Sequence, residues 1–225
     1  MINIAIDGPA GAGKSTIAQA IAKELGYIYV DTGALYRAIG LSFINKGVDM
    51  NDEQAVALLL AGTSIEIRFI NMEQHVFLND SDVTGKIRTD AVSMAASACS
   101  ALPAVRAFLL QLQRDLAADN NVVMDGRDIG TVILPNAQIK IFLTATPEDR
   151  AQRRYEELIG KGVHCDYESV YKDLIRRDYD DSHREVAPLR PAEGAIILDT
   201  TGNPLEVSIE LLIGVVKKRL EELNA

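Results

Sequence analysis

Gly8-Pro9-Ala10-Gly11-Ala12-Gly13-Lys14-Ser15 matches G-x-x-x-x-G-K-[ST] at every fixed position, just after the apolar run Ile2-Asn3-Ile4-Ala5-Ile6. Strand, glycine loop and helix then stand in the order that a phosphate cradle requires, with Thr16 to Leu25 reading as the helix. The spacing has a mechanical meaning. Gly8, Gly11 and Gly13 free the backbone to aim successive N–H groups at one anion, where a Cβ would obstruct. Lys14 supplies a point charge for the outer phosphates, Ser15 a hydroxyl for Mg²⁺, and the helix its positive end.

The 225 residues are enough for one α/β core with small lobes. A formal net charge of −9 opposes non-specific binding to nucleic acid or to an anionic membrane, since no excess of cations is available to release counterions. Cys99 and Cys165 lack metal-ligand spacing and read as ordinary thiols. No basic leader and no long apolar stretch appears, so the expectation is a cytoplasmic protein without a membrane partner. His75 and His164 read as surface loop residues, and His183 as a neighbour of Arg184.

Outward from the loop, β-branched runs at Ile2–Ile6, Tyr27–Val30, Val122–Met124, Ile139–Leu143 and Ala195–Leu198 alternate with amphipathic segments. That alternation predicts a parallel sheet covered on both faces, with ligands at the carboxyl ends of the strands. Asp7, Asp31, Asp125 and Asp199 fall at those ends, and Asp199 reads as a turn or capping residue. About 90 residues separate the second run from the third, more than one crossover helix needs. Within them Thr63–Phe69 alternates with period two and Val76–Leu78 follows, which predicts a small antiparallel lobe, and Ile87–Ala101 and Pro103–Ala118 read as helices. Farther on, Thr146-Pro147-Glu148-Asp149 opens a helix on which Arg150, Arg153 and Arg154 share a face.

A glycine cradle serves switches, motors and kinases alike, so its surroundings decide. A guanine-reading N-K-x-D is missing; Asn45-Lys46-Gly47-Val48-Asp49 has the wrong spacing, and Asp82-Val83-Thr84-Gly85 lies in the antiparallel insert. After Val122-Val123-Met124-Asp125 comes Gly126-Arg127, not the acidic pair of a motor. An arginine there suits a second anion.

Asp31-Thr32-Gly33-Ala34-Leu35-Tyr36-Arg37 and Asp125-Gly126-Arg127-Asp128-Ile129-Gly130-Thr131, taken with the cradle, resemble the bacterial cytidylate kinases of the nucleoside monophosphate kinase superfamily. Arg184-Glu185-Val186-Ala187-Pro188-Leu189 resembles the end of that family's lid. The resemblance implies a three-layer α/β P-loop kinase fold with a five-stranded parallel sheet, an antiparallel β insert in the monophosphate-binding region and a helical lid. It is expected as one domain, with a core over 1–31, 119–148 and 191–225, an insert over 32–118 and a lid over 149–190.

By the same resemblance, Gly8, Pro9, Ala10, Gly11, Ala12, Gly13, Lys14, Ser15 and Thr16 hold ATP. Arg37, Arg127 and Arg184 hold the acceptor phosphate; Thr32, Arg106 and Asp128 line the base pocket; Arg177 and Asp181 lie near the sugar. The expected reaction moves the γ-phosphoryl group of ATP to CMP or dCMP. Lys14, Mg²⁺ held by Ser15 and through water by Asp125, and Arg150, Arg153 and Arg154 neutralise the transferring group together with Arg127 and Arg184. A monomer is expected. Thr32 stands where many relatives carry serine and Asp180 where some carry a base. Rival acceptors are UMP, AMP or a hydroxylated metabolite such as shikimate, the last with Asp31 as general base. A nucleotide switch is the other class.

Overall fold

The computed structural model describes residues 1–71 and 73–223. In chain order the elements begin β1 (Asn3–Asp7), α1 (Lys14–Leu25), β2 (Ile28–Asp31), α2 (Thr32–Lys46), α3 (Glu53–Ala61), β3 (Ile65–Ile70), β4 (Glu73–Leu78) and β5 (Ser81–Asp82). They continue with α4 (Asp90–Cys99), α5 (Pro103–Asp119), β6 (Val122–Gly126), a π-helical turn (Ile129–Ile133), β7 (Ile139–Thr144), α6 (Pro147–Gly160), α7 (Tyr167–His183), β8 (Ile196–Asp199) and α8 (Leu205–Leu223). The chain forms two compact units, Met1–Ile28 with Asn120–Ala225, and Tyr29–Asp119.

The parallel sheet has the strand order β2-β6-β1-β7-β8. β1 runs down its middle, with Ile4 opposite Val123 on one side and Ile139 on the other. A strand covered on both faces needs apolar side chains pointing both ways, and Ile4, Ala5 and Ile6 are fully buried. α1 buries Ile17, Ala18, Ile21 and Ala22, the 3.6-residue stripe that the sequence shows, and stops where Gly26 turns left-handed. All five expected strands form, each within one residue or two of its predicted bounds.

In the second unit β3, β4 and β5 form an antiparallel sheet. β3 alternates half-buried and exposed residues, the mark of a sheet covered on one face. Leu35, Ile39, Phe43, Leu59, Cys99, Val105 and Leu109 form the main core of this unit. Close approach of α2 and α4 depends on Gly40, because a Cβ there would stand 2.8 Å from the Ala96 amide nitrogen. The helix expected over Ile87–Ala101 starts at Asp90 instead: Thr89 caps it, and Ile87 is fully buried in the preceding turn. α3 and the π turn are additions to the sequence reading. His75, expected in a loop, lies in β4 with Nδ1 2.8 Å from Asp82 Oδ2. Asp199 is the last residue of β8, and its side chain shapes the turn that follows by accepting from the Thr201 amide at 2.8 Å.

β1 ends in the buried Asp7, whose two carboxylate oxygens accept the Ile129 and Gly130 amides, each at 2.8 Å. Those amides open the π turn, so one carboxylate fixes the chain that follows Arg127 and Asp128. Burial outweighs the two amide bonds and, with the Asp128 charge adding to it, lifts the Asp7 pKa from 3.8 to about 6. A carboxyl raised in this way stabilises the fold fully below its unfolded pKa and loses that contribution as pH climbs through the folded value. The expected outcome is that the unfolding free energy of the wild type, minus that of Asp7→Asn, falls by about 3 kcal/mol between pH 4 and 7 and then levels off. Urea titrations across that range measure it, and a flat difference would show Asp7 ionised throughout.

Candidate functional site

The loop between β1 and α1 is shaped from both sides. Gly8 has φ 150°, and a Cβ on it would come within 2.0 Å of the Leu143 carbonyl oxygen on β7. Gly11 has φ 72° and would press on the Arg150 carbonyl at 2.9 Å; Gly13, at φ 83°, starts α1. No other residue fits the first two places without moving backbone.

Lys14 is only 6% exposed, and its Nζ donates to the Pro9 carbonyl at 2.7 Å. Burial, then the Arg127 guanidinium, pushes its pKa well below the ordinary lysine range, with Asp125 pulling the other way. A phosphate brought against this group favours its charged form. Ser15 Oγ donates to Asp125 Oδ2 at 2.8 Å, which joins α1 to the end of β6. One hydroxyl and one carboxylate are hard oxygen donors, and among the described residues no group of three His, Cys, Asp or Glu could cage a metal. That set fits Mg²⁺ shared with nucleotide phosphates and water.

Two arginines converge on Asp181. Arg127 Nε donates to its Oδ2 at 2.7 Å, and Arg184 Nη1 lies 3.8 Å from its Oδ1. Arg184 Nη2 is 3.5 Å from Asp128 Oδ1, and its Nε donates to the Ala187 carbonyl at 2.6 Å. Ala187 takes a left-handed φ of 52°, and the Leu189 amide returns to the Asp181 carbonyl at 2.8 Å, so the end of the lid segment is folded around the Arg184 side chain. Burial works against charge on Asp181, yet Arg127, Arg177 and Arg184 together hold its pKa below the usual carboxylate value. Burial likewise opposes the Arg127 charge, and Asp181 outweighs it.

Arg150, Arg153 and Arg154 do not act as one cluster here. Arg150 is buried, donating to the carbonyls of Ala145 at 2.8 Å and Ala10 at 2.9 Å and pairing with Asp178 at 2.6 Å. It therefore pins the glycine loop to α6 and α7. Arg153 reaches the Thr200 carbonyl at 2.7 Å and Asp149 at 2.8 Å, while Arg154 pairs with Glu157 at 2.8 Å. Residues three and four apart share a helix surface, but their long side chains diverge to different partners.

In the second unit, Thr32 is buried at the first position of α2. Before it, Asp31 caps the helix through Oδ1 and the Ala34 amide at 2.9 Å, and its Oδ2 takes Arg37 Nη2 at 2.6 Å. Gln74 on β4 pairs with the Asp31 backbone as a peptide would, accepting from its amide at 2.8 Å and donating to its carbonyl at 3.2 Å. Arg106 is buried beside Tyr36, its guanidinium carbon 5.8 Å from the ring centre, and Nη1 donates to the Ser100 carbonyl at 3.1 Å. Gln74 and Asp178 had no motif to reveal them, and Asp7 was visible only as a strand-end carboxylate; each matters through a partner far along the chain.

A family model described as Cytidylate kinase matches residues 4–218. A protein named Cytidylate kinase from Carboxydothermus hydrogenoformans is 47% identical over 222 residues, which cover 99% of this chain and all of that one. Proteins of the same name from Caldicellulosiruptor saccharolyticus and Geobacillus kaustophilus are each 49% identical, covering 96% and 97% of this chain and 96% and 98% of theirs. An uncharacterized protein from Eubacterium ventriosum shares the fold, with a TM-score of 0.55 at 11% identity over 96% of this chain and 99% of that one. Matched from its first strand into its last helix, and half identical to such relatives over nearly its whole length, the chain belongs to the cytidylate kinase family.

Proposed function

We propose that the chain transfers the γ-phosphoryl group of ATP to the phosphate of CMP or dCMP, giving ADP and CDP or dCDP. The observation that carries this reading is the pairing of arginines with buried carboxylates, Arg127 and Arg184 with Asp181 and Arg37 with Asp31. An acceptor that brings its own phosphate needs such cations, whereas a hydroxyl acceptor needs a free base. Asp31 cannot be that base while its oxygens serve Ala34 and Arg37.

Residues Gly8 to Thr16 hold the donor phosphates, and Lys14 neutralises charge on the transferring group. Mg²⁺ held by Ser15, and through water by Asp125, supplies further neutralisation when bound with ATP. Arg37, Arg127 and Arg184 hold the acceptor phosphate, whose oxygen is anionic at neutral pH and attacks without a general base. Arg153 and Arg154 are assigned to donor charge as the lid closes, and Arg150 to positioning the loop. Thr32, Arg106 and Asp128 read the base: cytosine offers an amine at N4 to Asp128 and acceptors at N3 and O2 to Arg106 or a hydroxyl, and uracil reverses N3 and C4. Arg177 and Asp181 attend the sugar. No single helix among the described residues is long and apolar enough to cross a membrane. The reading includes a cytoplasmic monomer with nucleotide substrates and no nucleic-acid or membrane partner.

ADP release measured with CMP, dCMP, UMP, AMP and shikimate tests the assignment: CMP and dCMP should be the preferred acceptors, and activity with none of the five would favour a switch. Lys14→Met should lower kcat with CMP about a hundredfold or more while the thermal transition persists. Asp128→Asn should cut the preference for CMP over UMP about tenfold to a hundredfold, since the amide presents donors where cytosine also donates. An unchanged ratio of kcat/KM values would remove Asp128 from the base pocket.

A further inference from the structure

Asp31 holds a second guanidinium that no motif points to. Arg88 Nη2 lies 3.2 Å from the same Oδ2 that takes Arg37 at 2.6 Å. Oδ1 is occupied by the cap to Ala34. One carboxylate therefore gathers two positive charges, and the trio carries a net charge of +1. The Asp31 side chain is 9% exposed and that of Arg88 60%, so the exposed arginine is the one with donors turned to solvent.

Arg88 is mounted firmly. Ile87 before it is fully buried and its amide bonds to the Val83 carbonyl at 3.1 Å; Thr89 after it caps α4. Stability does not account for the contact. Asp31 already has an arginine and an amide, and an ion pair with a partner this exposed adds little to stability. Two details point to an anion. Arg37 Nε is buried and has no hydrogen-bond partner among the described residues, so the guanidinium pair keeps unused donors. Gly33 stands in the first turn of α2, and a Cβ there would stand 3.1 Å from both Arg37 Nη1 and Asp31 Oδ1. A side chain at position 33 would press on the ion pair itself.

We infer that Arg88 is a second acceptor-phosphate arginine, paired with Arg37 on Asp31 and passed to the phosphomonoester dianion when the acceptor binds. A dianion with three oxygens outcompetes a carboxylate already shared between two cations. Asp31 is then a positioning residue, which holds both guanidiniums at the start of α2 and takes no proton. The inference rests on the proposed acceptor being a nucleoside monophosphate.

Binding of CMP and of cytidine to wild type, Arg88→Met and Arg88→Lys tests it, by calorimetry for CMP and competition for the weaker nucleoside. The two ligands differ only in the phosphate. Arg88→Met should weaken CMP about tenfold to a hundredfold, leave cytidine within about twofold, and raise KM for CMP but not for ATP; Arg88→Lys should recover part of the loss. Equal weakening of CMP and cytidine would mean that Arg88 only supports the fold, and unchanged CMP binding would mean that it does nothing at the site. Either result overturns the inference. Wild type that neither binds nor phosphorylates CMP would instead overturn the acceptor reading itself, and the wild-type control alone decides that.

Discussion

Cations kept in a folded, water-poor place need partners, and here each is held by an oxygen of the chain. Lys14 rests on the Pro9 carbonyl, Arg127 on Asp181, Arg184 between Asp181 and Asp128, and Arg37 on Asp31. An unpaired buried charge costs several kcal/mol. Paired, the same groups are tolerated, and each carboxylate also fixes the direction of its partner. This explains how a chain with net charge −9 can be built around anionic substrates. The local balance is set residue by residue, and total charge carries little information about the site.

The glycine loop obeys a second constraint that makes those pairings consistent with one another. Its outer side is packed on backbone, with Leu143 beneath Gly8 and Arg150 beneath Gly11. Arg150 closes the arrangement, because its side chain holds the Ala10 carbonyl while its own carbonyl lies under Gly11. The same guanidinium reaches Asp178 on α7. The loop and α7 are therefore joined by an ion pair whose arginine is buried and whose aspartate is half-buried. Holding the loop is a mechanical role, different from touching the transferring group, and it accounts for the burial of this arginine.

What could be read from the chain beforehand was local. The cradle, the five strands and the antiparallel insert depend on spacing and period, which a sequence displays directly. α3 escaped because Ala55 to Ala61 is apolar throughout and shows no face, although Leu58 is exposed; the signal was the Asp52 cap. The π turn escaped because it is held by a carboxylate 122 residues away. Spacing puts Arg150, Arg153 and Arg154 on one helix, yet it cannot say which of them a neighbouring carbonyl will capture. Arg88 joins Asp31 across 57 positions and lies outside every recognisable string.

Asp31 shows how small the distance between chemistries can be. At the end of β2, a carboxylate with free oxygens could accept a proton from a hydroxyl, and the cradle could then serve a metabolite kinase. Here its oxygens are taken by an amide and two guanidiniums, and positive charge is gathered beside it. The side chain that would make a base supports a pair of arginines instead. Partners decide this, since the residue type is the same in both cases. Gln74 adds to it by fixing the Asp31 backbone from the antiparallel sheet, so that the insert helps determine where the arginines stand. The antiparallel sheet thus helps to hold the arginine cluster through two hydrogen bonds to the backbone of one residue.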